Sequence, residues 1–119
     1  MISLLTYIYN QLKLVHSNVY FEQAPENATF PYIVFKLPNS TENEAREDFI
    51  LEVDIWDNNS DTTTLETLTN NIDTQLNRTH HTETNVVCSI YRINRLMIPD
   101  PDPNIRRRQL RYQVQTYFR

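Results

Sequence analysis

The chain has 119 residues, with 15 acidic and 11 basic side chains and a formal charge of −4 at pH 7. A chain of this length is expected to form one domain, residues 1–119, that removes roughly two thirds of its unfolded surface from water. It contains no glycine, which excludes the glycine-rich phosphate-binding loops of dinucleotide-binding and P-loop proteins. The single cysteine, Cys88, excludes an internal disulfide and is typical of a small apolar residue in a strand.

The N-terminal segment predicts an amphipathic helix. Its apolar residues recur at helical spacing and indicate a helix that ends near His16–Asn18: Ile2, Leu5, Ile8, Leu12 and Val15. The segment lacks a basic leader, and its apolar run is interrupted before it reaches the length of a membrane span. We therefore expect a soluble, unsecreted protein with no membrane partner.

Two strands are predicted after this helix. Val19–Glu22 is a short candidate, and Phe30–Leu37 is rich in β-branched and aromatic residues and is stopped by Pro38. Asn39–Arg46 is then a polar, acidic hairpin loop or a flexible flap. Without glycine, turns that need a positive φ are expected to use Asn or Asp, at Asn39, Asn58–Asn59 and Asn77.

The centre of the chain, from Asp48 to Asn77, predicts a strand, a polar turn and a helix. Phe49, Leu51, Val53 and Ile55 fall on one side of an extended chain, with Ile50, Glu52, Asp54 and Trp56 on the other. The period then changes, because Leu65, Leu68, Ile72 and Leu76 line one helical stripe. Thr and Asn on the exposed side are mediocre helix formers, so this helix must pack on an apolar sheet to persist.

The C-terminal part predicts two more strands. Arg78–Asn85 is expected to be a polar connection, and Val86–Ile98 a long strand with a bulge near Arg92–Arg95. A proline-rich loop over 99–103 separates it from the last strand, in which Leu110, Tyr112, Val114, Thr116 and Phe118 share one face. The prediction is an α+β fold, with an antiparallel or mixed sheet of about four to five strands and two helices on one face, in the order α-β-β-β-α-β-β.

Two motifs resemble metal sites and do not complete one. Asp57–Asp61 begins like a calcium loop, but Thr62 stands where glycine is needed and Leu68 where a bidentate glutamate is needed. A turn that caps the following helix is favoured, through Ser60 or Asp61 and a capping box of Thr63 with Glu66. His80 and His81 point in opposite directions on an extended chain, and no further ligand pattern accompanies them. No catalytic motif is present, so we expect no enzyme activity, no metal and no cofactor.

The most unusual cluster is basic, and its residues are Arg106, Arg107, Arg108 and Arg111. Charged residues from Glu22 to Glu83 are mostly acidic, whereas arginines dominate from Tyr91 onward. One interpretation is a nucleic-acid-binding module that contacts phosphates. The other is a protein interface in which the arginines bind carboxylates of a neighbouring copy, with Asp54, Asp57 and Asp61 as the complementary acidic surface.

Three stretches, taken in order, resemble the minor tail proteins of tailed bacteriophages, the tail terminator, tail completion or head-to-tail joining family. They are Ala24-Pro25 followed by Phe30–Phe35, then Leu51–Asp57 leading into the second helix, and last the arginine-rich strand Arg106–Phe118.

The resemblance implies a non-enzymatic virion protein, assembled in the bacterial host cytoplasm, whose copies form a ring that is typically a hexamer. Its implied partners are the tail tube protein, the head connector proteins and, in passing, DNA in the lumen. The arginine cluster would face a neighbouring subunit or the lumen. Six residues in two loops are further candidates for docking contacts: Asn39, Glu42, Glu44, His80, His81 and Glu83.

Overall fold

The computed structural model describes the whole chain, Met1–Arg119. Helix α1 spans Ile2–Val15 and helix α2 spans Thr63–Leu76. The six strands are β1 (Val19–Phe21), β2 (Tyr32–Asn43), β3 (Arg46–Asp57), β4 (Thr79–Thr82), β5 (Val86–Pro99) and β6 (Arg106–Phe118). The predicted α+β class and element order are confirmed, with one strand more than the upper number expected. Neither helix is long and apolar enough to cross a membrane.

All six strands form one mixed sheet in the spatial order β1-β2-β3-β6-β5-β4. β1 runs parallel to β2, and every other neighbouring pair is antiparallel. The predicted bulge in β5 is present as a register shift between Arg92 and Asn94. A second bulge lies in β2 between Lys36 and Asn39, where Pro38 has no N–H to donate.

The core lies between the sheet and the two helices, which pack on each other and on one face of the sheet. The predicted stripe of α2 is buried, as are Phe49, Leu51, Val53 and Ile55 of β3. Leu110, Tyr112, Val114 and Thr116 of β6 are buried beside them, whereas Phe118 at the strand end is 41% exposed. Cys88 is buried in β5, as expected, and burial followed by the charge of Glu83 raises the pKa of its thiol to about 11.

Three local predictions were wrong. The polar stretch Thr79–Thr82 is a strand paired with β5, because an edge strand needs backbone pairing and not an apolar face. Most of 39–46 is also paired strand, from Asn39↔Ile50 to Asn43↔Arg46, so the hairpin turns over two residues only. The positive φ values fall on Glu22, Glu44 and Arg78 and on none of the predicted asparagines. Each costs roughly 1–2 kcal/mol of backbone energy, which the surrounding pairing offsets.

The start of α2 follows the sequence prediction in part. Asp61 Oδ1 accepts hydrogen bonds from the Thr63 amide at 3.0 Å and the Thr63 hydroxyl at 2.7 Å. These bonds hold the pKa of the Asp61 carboxyl below its usual range. The predicted capping box does not form, because the Glu66 side chain turns to Arg108 instead. At the other helix, His16 is the C-cap residue, and its Nε2 lies 2.8 Å from the Pro31 carbonyl oxygen.

Candidate subunit interface

The sheet face opposite the helices carries three of the charged residues that the sequence singled out, Asp54, Arg107 and Arg111. Alternate residues of β3 point to this open face, with Glu52 and Asp54 among them, and they pair in register with Arg111 and Gln109 of β6. The acidic centre of the chain and its basic C-terminal strand are therefore direct neighbours in one sheet. Complementary charge that the sequence placed in separate halves meets within a single copy.

Asp54 is the centre of this face. Its side chain is only 3% exposed, and its Oδ1 lies 2.9 Å from Arg107 Nη2 and 3.2 Å from Arg107 Nε. Gln109 Nε2 donates to the same oxygen at 3.0 Å. The Arg107 guanidinium also lies 4.8 Å from the Trp56 ring centroid, a cation–π contact that holds its planar group in place. Asp54 is thus a buried carboxylate whose charge is compensated within the chain.

Two more of the predicted arginines have acidic partners in the same chain. Arg108 points to the helix side, where its Nε lies 2.6 Å from Glu66 Oε1 and its side chain is 11% exposed. Arg111 Nε lies 3.6 Å from Glu52 Oε2, in a looser pair whose arginine side chain is 33% exposed. Arg106 forms no ion pair and donates to the Pro103 carbonyl. Of the four arginines, Arg106 has the guanidinium most available to a partner.

The three aspartates proposed as an acidic surface lie in different environments. Asp54 and Asp57 are buried, at 2% and 4% exposure, and Asp57 Oδ1 accepts from the Asn58 amide at 2.8 Å. Asp61 is exposed at the start of α2. Of these carboxylates, Asp61 is the one that a neighbouring molecule can reach directly.

The first proposed docking loop is the tip of a β-hairpin. Asn39 and Glu42 lie on β2, Glu44 lies in the turn, and all three are exposed. The hairpin tip is acidic, since Glu47 follows directly in β3 opposite Glu42. The molecule as a whole is elongated and measures 46 × 24 × 23 Å.

The second proposed loop contains β4, and its two histidines face opposite sides of the sheet, as predicted. His80 Nδ1 lies 2.7 Å from the Ser89 hydroxyl. His81 stacks on Tyr7 of α1 with ring centroids 3.8 Å apart, and its Nε2 lies 3.5 Å from Glu83 Oε2. These contacts attach β4 to α1 and β5.

A partly exposed polar cluster joins β6, α2 and the C-terminal half of β5. The Tyr112 hydroxyl donates to Asp73 Oδ1 at 2.9 Å, and Arg92 Nη1 lies 2.8 Å from Asp73 Oδ2. Burial, together with the bond to Asp73, raises the pKa of Tyr112 far above its usual value. Arg95 Nη2 lies 3.9 Å from the same carboxylate, which leaves one positive charge in excess here.

Sequence reasoning missed an exposed apolar edge on the C-terminal half of β5. Ile93 is 48%, Leu96 39% and Met97 72% exposed. The strand was predicted, but its solvent exposure depends on the short length of β4, which pairs only with Val87–Ile90. The bulge and the continuous apolar run Leu96–Ile98 are the sequence signals that point to this edge.

The chain resembles known proteins both in sequence and in fold. The family model described as tail completion protein gp17 matches residues 5–117 of the chain. A chain in a solved structure of the virion of a native gene transfer agent particle has a similar fold, with a TM-score of 0.71 at 10% identity. That match covers 92% of this chain and 91% of the other, and at such identity it shows a shared fold. None of the curated proteins compared matches the sequence significantly.

Proposed function

The chain belongs to the tail completion protein gp17 family, and we propose from this premise that its copies form a ring at the head-proximal end of a phage tail. Membership of this family makes it a structural protein of the virion. In the proposed role the ring terminates or completes the tail, binds the tail tube protein on one side and joins the head connector proteins on the other. This role is non-enzymatic, and DNA passes through the lumen. Assembly takes place in the bacterial host cytoplasm.

The family match over residues 5–117 is the observation that carries this proposal. The geometry is compatible with a ring, because a ring needs two different patches on each copy. The chain has an acidic hairpin tip at Glu42 and Glu44 and an apolar, basic edge on β5. A hexamer is the ring size that the family resemblance suggests.

Ion pairs within the chain disfavour the nucleic-acid-binding alternative. Arg107, Arg108 and Arg111 each have a carboxylate of the same chain within 4 Å, so the cluster presents less positive charge than its sequence indicates. Weak DNA binding with a shallow salt dependence is the expected result for the isolated protein. A steep salt slope, equivalent to several phosphate contacts, would favour the alternative instead.

The proposal is tested by deleting the gene from its phage. We expect DNA-filled heads and tails that fail to join, and purified protein added to the lysate should restore infectious particles. Electron microscopy should show one ring at the head-proximal end of each completed tail. A deletion strain that yields normal virions would refute the proposed role.

The contribution of the arginines is best tested with Arg106→Ala alone. Replacement of all four arginines would also disturb the fold, because loss of Arg107 leaves the buried Asp54 without its cation. Arg106 has no ion pair to lose, so a defect in ring formation or joining in this variant reports on the interface or lumen. Normal particle yield with Arg106→Ala would show that Arg106 is not needed there.

A further inference from the structure

Two long stretches of the sheet have no neighbouring strand on their outer side. β1 pairs with β2 only at Ile33–Phe35, so the β2 edge is free over Lys36–Asn43. β4 pairs with β5 only at Val87–Ile90, so the β5 edge is free over Tyr91–Pro99. We refer to these stretches as the β2 edge and the β5 edge. Free edges of this length present rows of unpaired backbone groups and are templates for pairing with another chain.

We propose that the β2 edge of one copy pairs with the β5 edge of the next copy, so that the sheets of neighbouring subunits join into one continuous sheet. The inference rests on the proposed ring and names the contact that closes it. The occupant of each edge is a second copy of this chain. Main-chain hydrogen bonds provide affinity in such strand addition, and the flanking side chains provide specificity.

The strand directions permit this pairing without inverting a subunit. β2 is antiparallel to β3, β3 to β6 and β6 to β5, so β2 and β5 are antiparallel to each other within one copy. A second copy displaced along the sheet in the same orientation therefore lays its β2 antiparallel to β5 of the first. This is a head-to-tail contact between two different surfaces, which is the type that generates rings.

The two edges also match in length, and each is limited at one end by a short neighbouring strand. The β2 edge is eight residues long and the β5 edge is nine. At one end of the junction β4 blocks β5 just beyond the tip of the incoming hairpin. At the other end β1 of the incoming copy meets the proline-rich loop after Pro99. The two short strands thus act as stops that set the register between copies.

The stagger of the edges agrees with a closed ring. The β2 edge lies at the level of Arg46–Glu52 of β3 and the β5 edge at the level of Ile50–Asp57, a displacement of about 15 Å along the strands. Four strand spacings per copy add about 19 Å across them. Together these values require the strands to tilt by about 38° from the ring axis, which is within the range that lets staggered sheets close on themselves.

Charge favours this pairing over pairing between identical edges. The hairpin arm from Asn39 to Asp48 carries four carboxylates and one arginine. The β5 edge carries Arg92 and Arg95 and no carboxylate, and Asp73 compensates only one of these charges. Two β2 edges would repel each other, as would two β5 edges. Exposed Phe21 lies beside the start of the β2 edge and is an apolar counterpart for the apolar β5 edge.

The register identifies backbone groups that point outward. The Ile90 carbonyl accepts from the Arg78 amide on the outer side of β5, and the Arg92 amide donates outward to Asn77 Oδ1. Beyond the bulge, Arg95 and Met97 lie opposite Leu110 and Arg108 of β6 and continue this alternation. The N–H of Met97 therefore points to the free edge. On β2, the Ile33 amide and the Phe35 carbonyl bond outward, and the alternation beyond its bulge places the Glu42 N–H outward.

Proline substitution tests the pairing. Met97→Pro removes one outward N–H while sparing the bonds to β6, and the natural Pro99 shows that this edge accepts proline. Glu42→Pro does the same on the other edge. Met97→Ala and Glu42→Ala are the matched controls, because they change the side chain and keep the N–H. In sedimentation velocity each proline variant should need roughly tenfold or more protein to form rings than its alanine control, with unchanged far-ultraviolet circular dichroism.

Disulfide trapping tests the same contact directly. Cys88 is buried, so new cysteines on the edges react without interference. Chains with one cysteine among residues 40–43 and one among residues 95–97 should give oxidised ladders up to the full ring for some combinations. The corresponding single variants, mixed in pairs, should stop at dimers.

The outcomes separate the pairing from the ring. If the wild-type chain forms rings, but the proline variants assemble like their controls and no cysteine pair cross-links, the edge pairing is wrong and the ring stands. If the wild-type chain remains monomeric at every concentration, including in the presence of purified tails, the ring fails and the pairing fails with it.

Discussion

Replacement of Arg107 by Ala should destabilise the fold by about 3 kcal/mol. Its partner Asp54 has a side chain that is 3% exposed, so the variant leaves a carboxylate out of water with Gln109 as its only side-chain donor. Breaking a buried ion pair by removing one partner typically costs about 3–5 kcal/mol. The lower end applies here, because the Arg107 side chain is 25% exposed and water can reach the vacated position. Loss of its contact with Trp56 is included in this figure.

The measurement is urea unfolding followed by circular dichroism and by the fluorescence of Trp56, the single tryptophan in the chain. With a slope of about 1.5 kcal/mol per molar urea, a loss of about 3 kcal/mol lowers the midpoint by about 2 M. The matched control is Arg111→Ala on the same strand and the same face. Its pair with Glu52 spans 3.6 Å between side chains that are 33% and 18% exposed, so its loss should cost at most about 1 kcal/mol.

A second variant separates charge from packing. Adding Asp54→Asn to Arg107→Ala removes the uncompensated charge and keeps the side-chain volume, so the double variant should regain at least about 1 kcal/mol. The reasoning is refuted if Arg107→Ala is no more destabilising than Arg111→Ala, or if the double variant is less stable than Arg107→Ala alone.

Three further predictions concern the core. The pKa of the Cys88 thiol is about 11 in the folded state, against an ordinary value of 9.0, so its contribution to stability is complete below pH 9 and is lost as the pH rises toward 11. Between pH 9 and pH 11 the unfolding free energy measured in urea should therefore fall more steeply for the wild type than for Cys88→Ala. Equal slopes for the two proteins would contradict this. Tyr112→Phe removes the hydroxyl that donates a hydrogen bond to Asp73 and should lower the unfolding free energy by about 1.5–3 kcal/mol. An unfolding free energy equal to that of the wild type would contradict this. Ile72→Ala, at a fully buried position of α2, should cost about 2–5 kcal/mol in thermal and urea unfolding, and a cost below 1 kcal/mol would show that α2 is not held by this stripe.

The hydrophobic patterns predicted the parts of the fold that bury an apolar face. The stripe of α2 and the alternation of β3 and β6 indicated which side chains pack together, since burial on one face requires a repeat of 3.6 or 2 residues. The bulge in β5 was visible for the same reason, because a slip in the alternation marks an extra residue. Polar strand β4 and the polar half of β2 were missed. Their pairing depends on backbone groups, which every residue carries alike.

The candidate interface likewise has features that the sequence predicted and features that only the folded structure shows. Composition and order alone were sufficient for the arginine-rich strand, the acidic centre and the resemblance to phage tail proteins. Only the tertiary structure decided that Arg107 and Asp54 neutralise each other, because strands β3 and β6 are separated by about fifty residues of sequence and meet through sheet pairing. The free edges of β2 and β5 likewise could not be predicted from the sequence. An edge is defined by the strand that is missing beside it, and only the lengths of β1 and β4 in the folded sheet establish that.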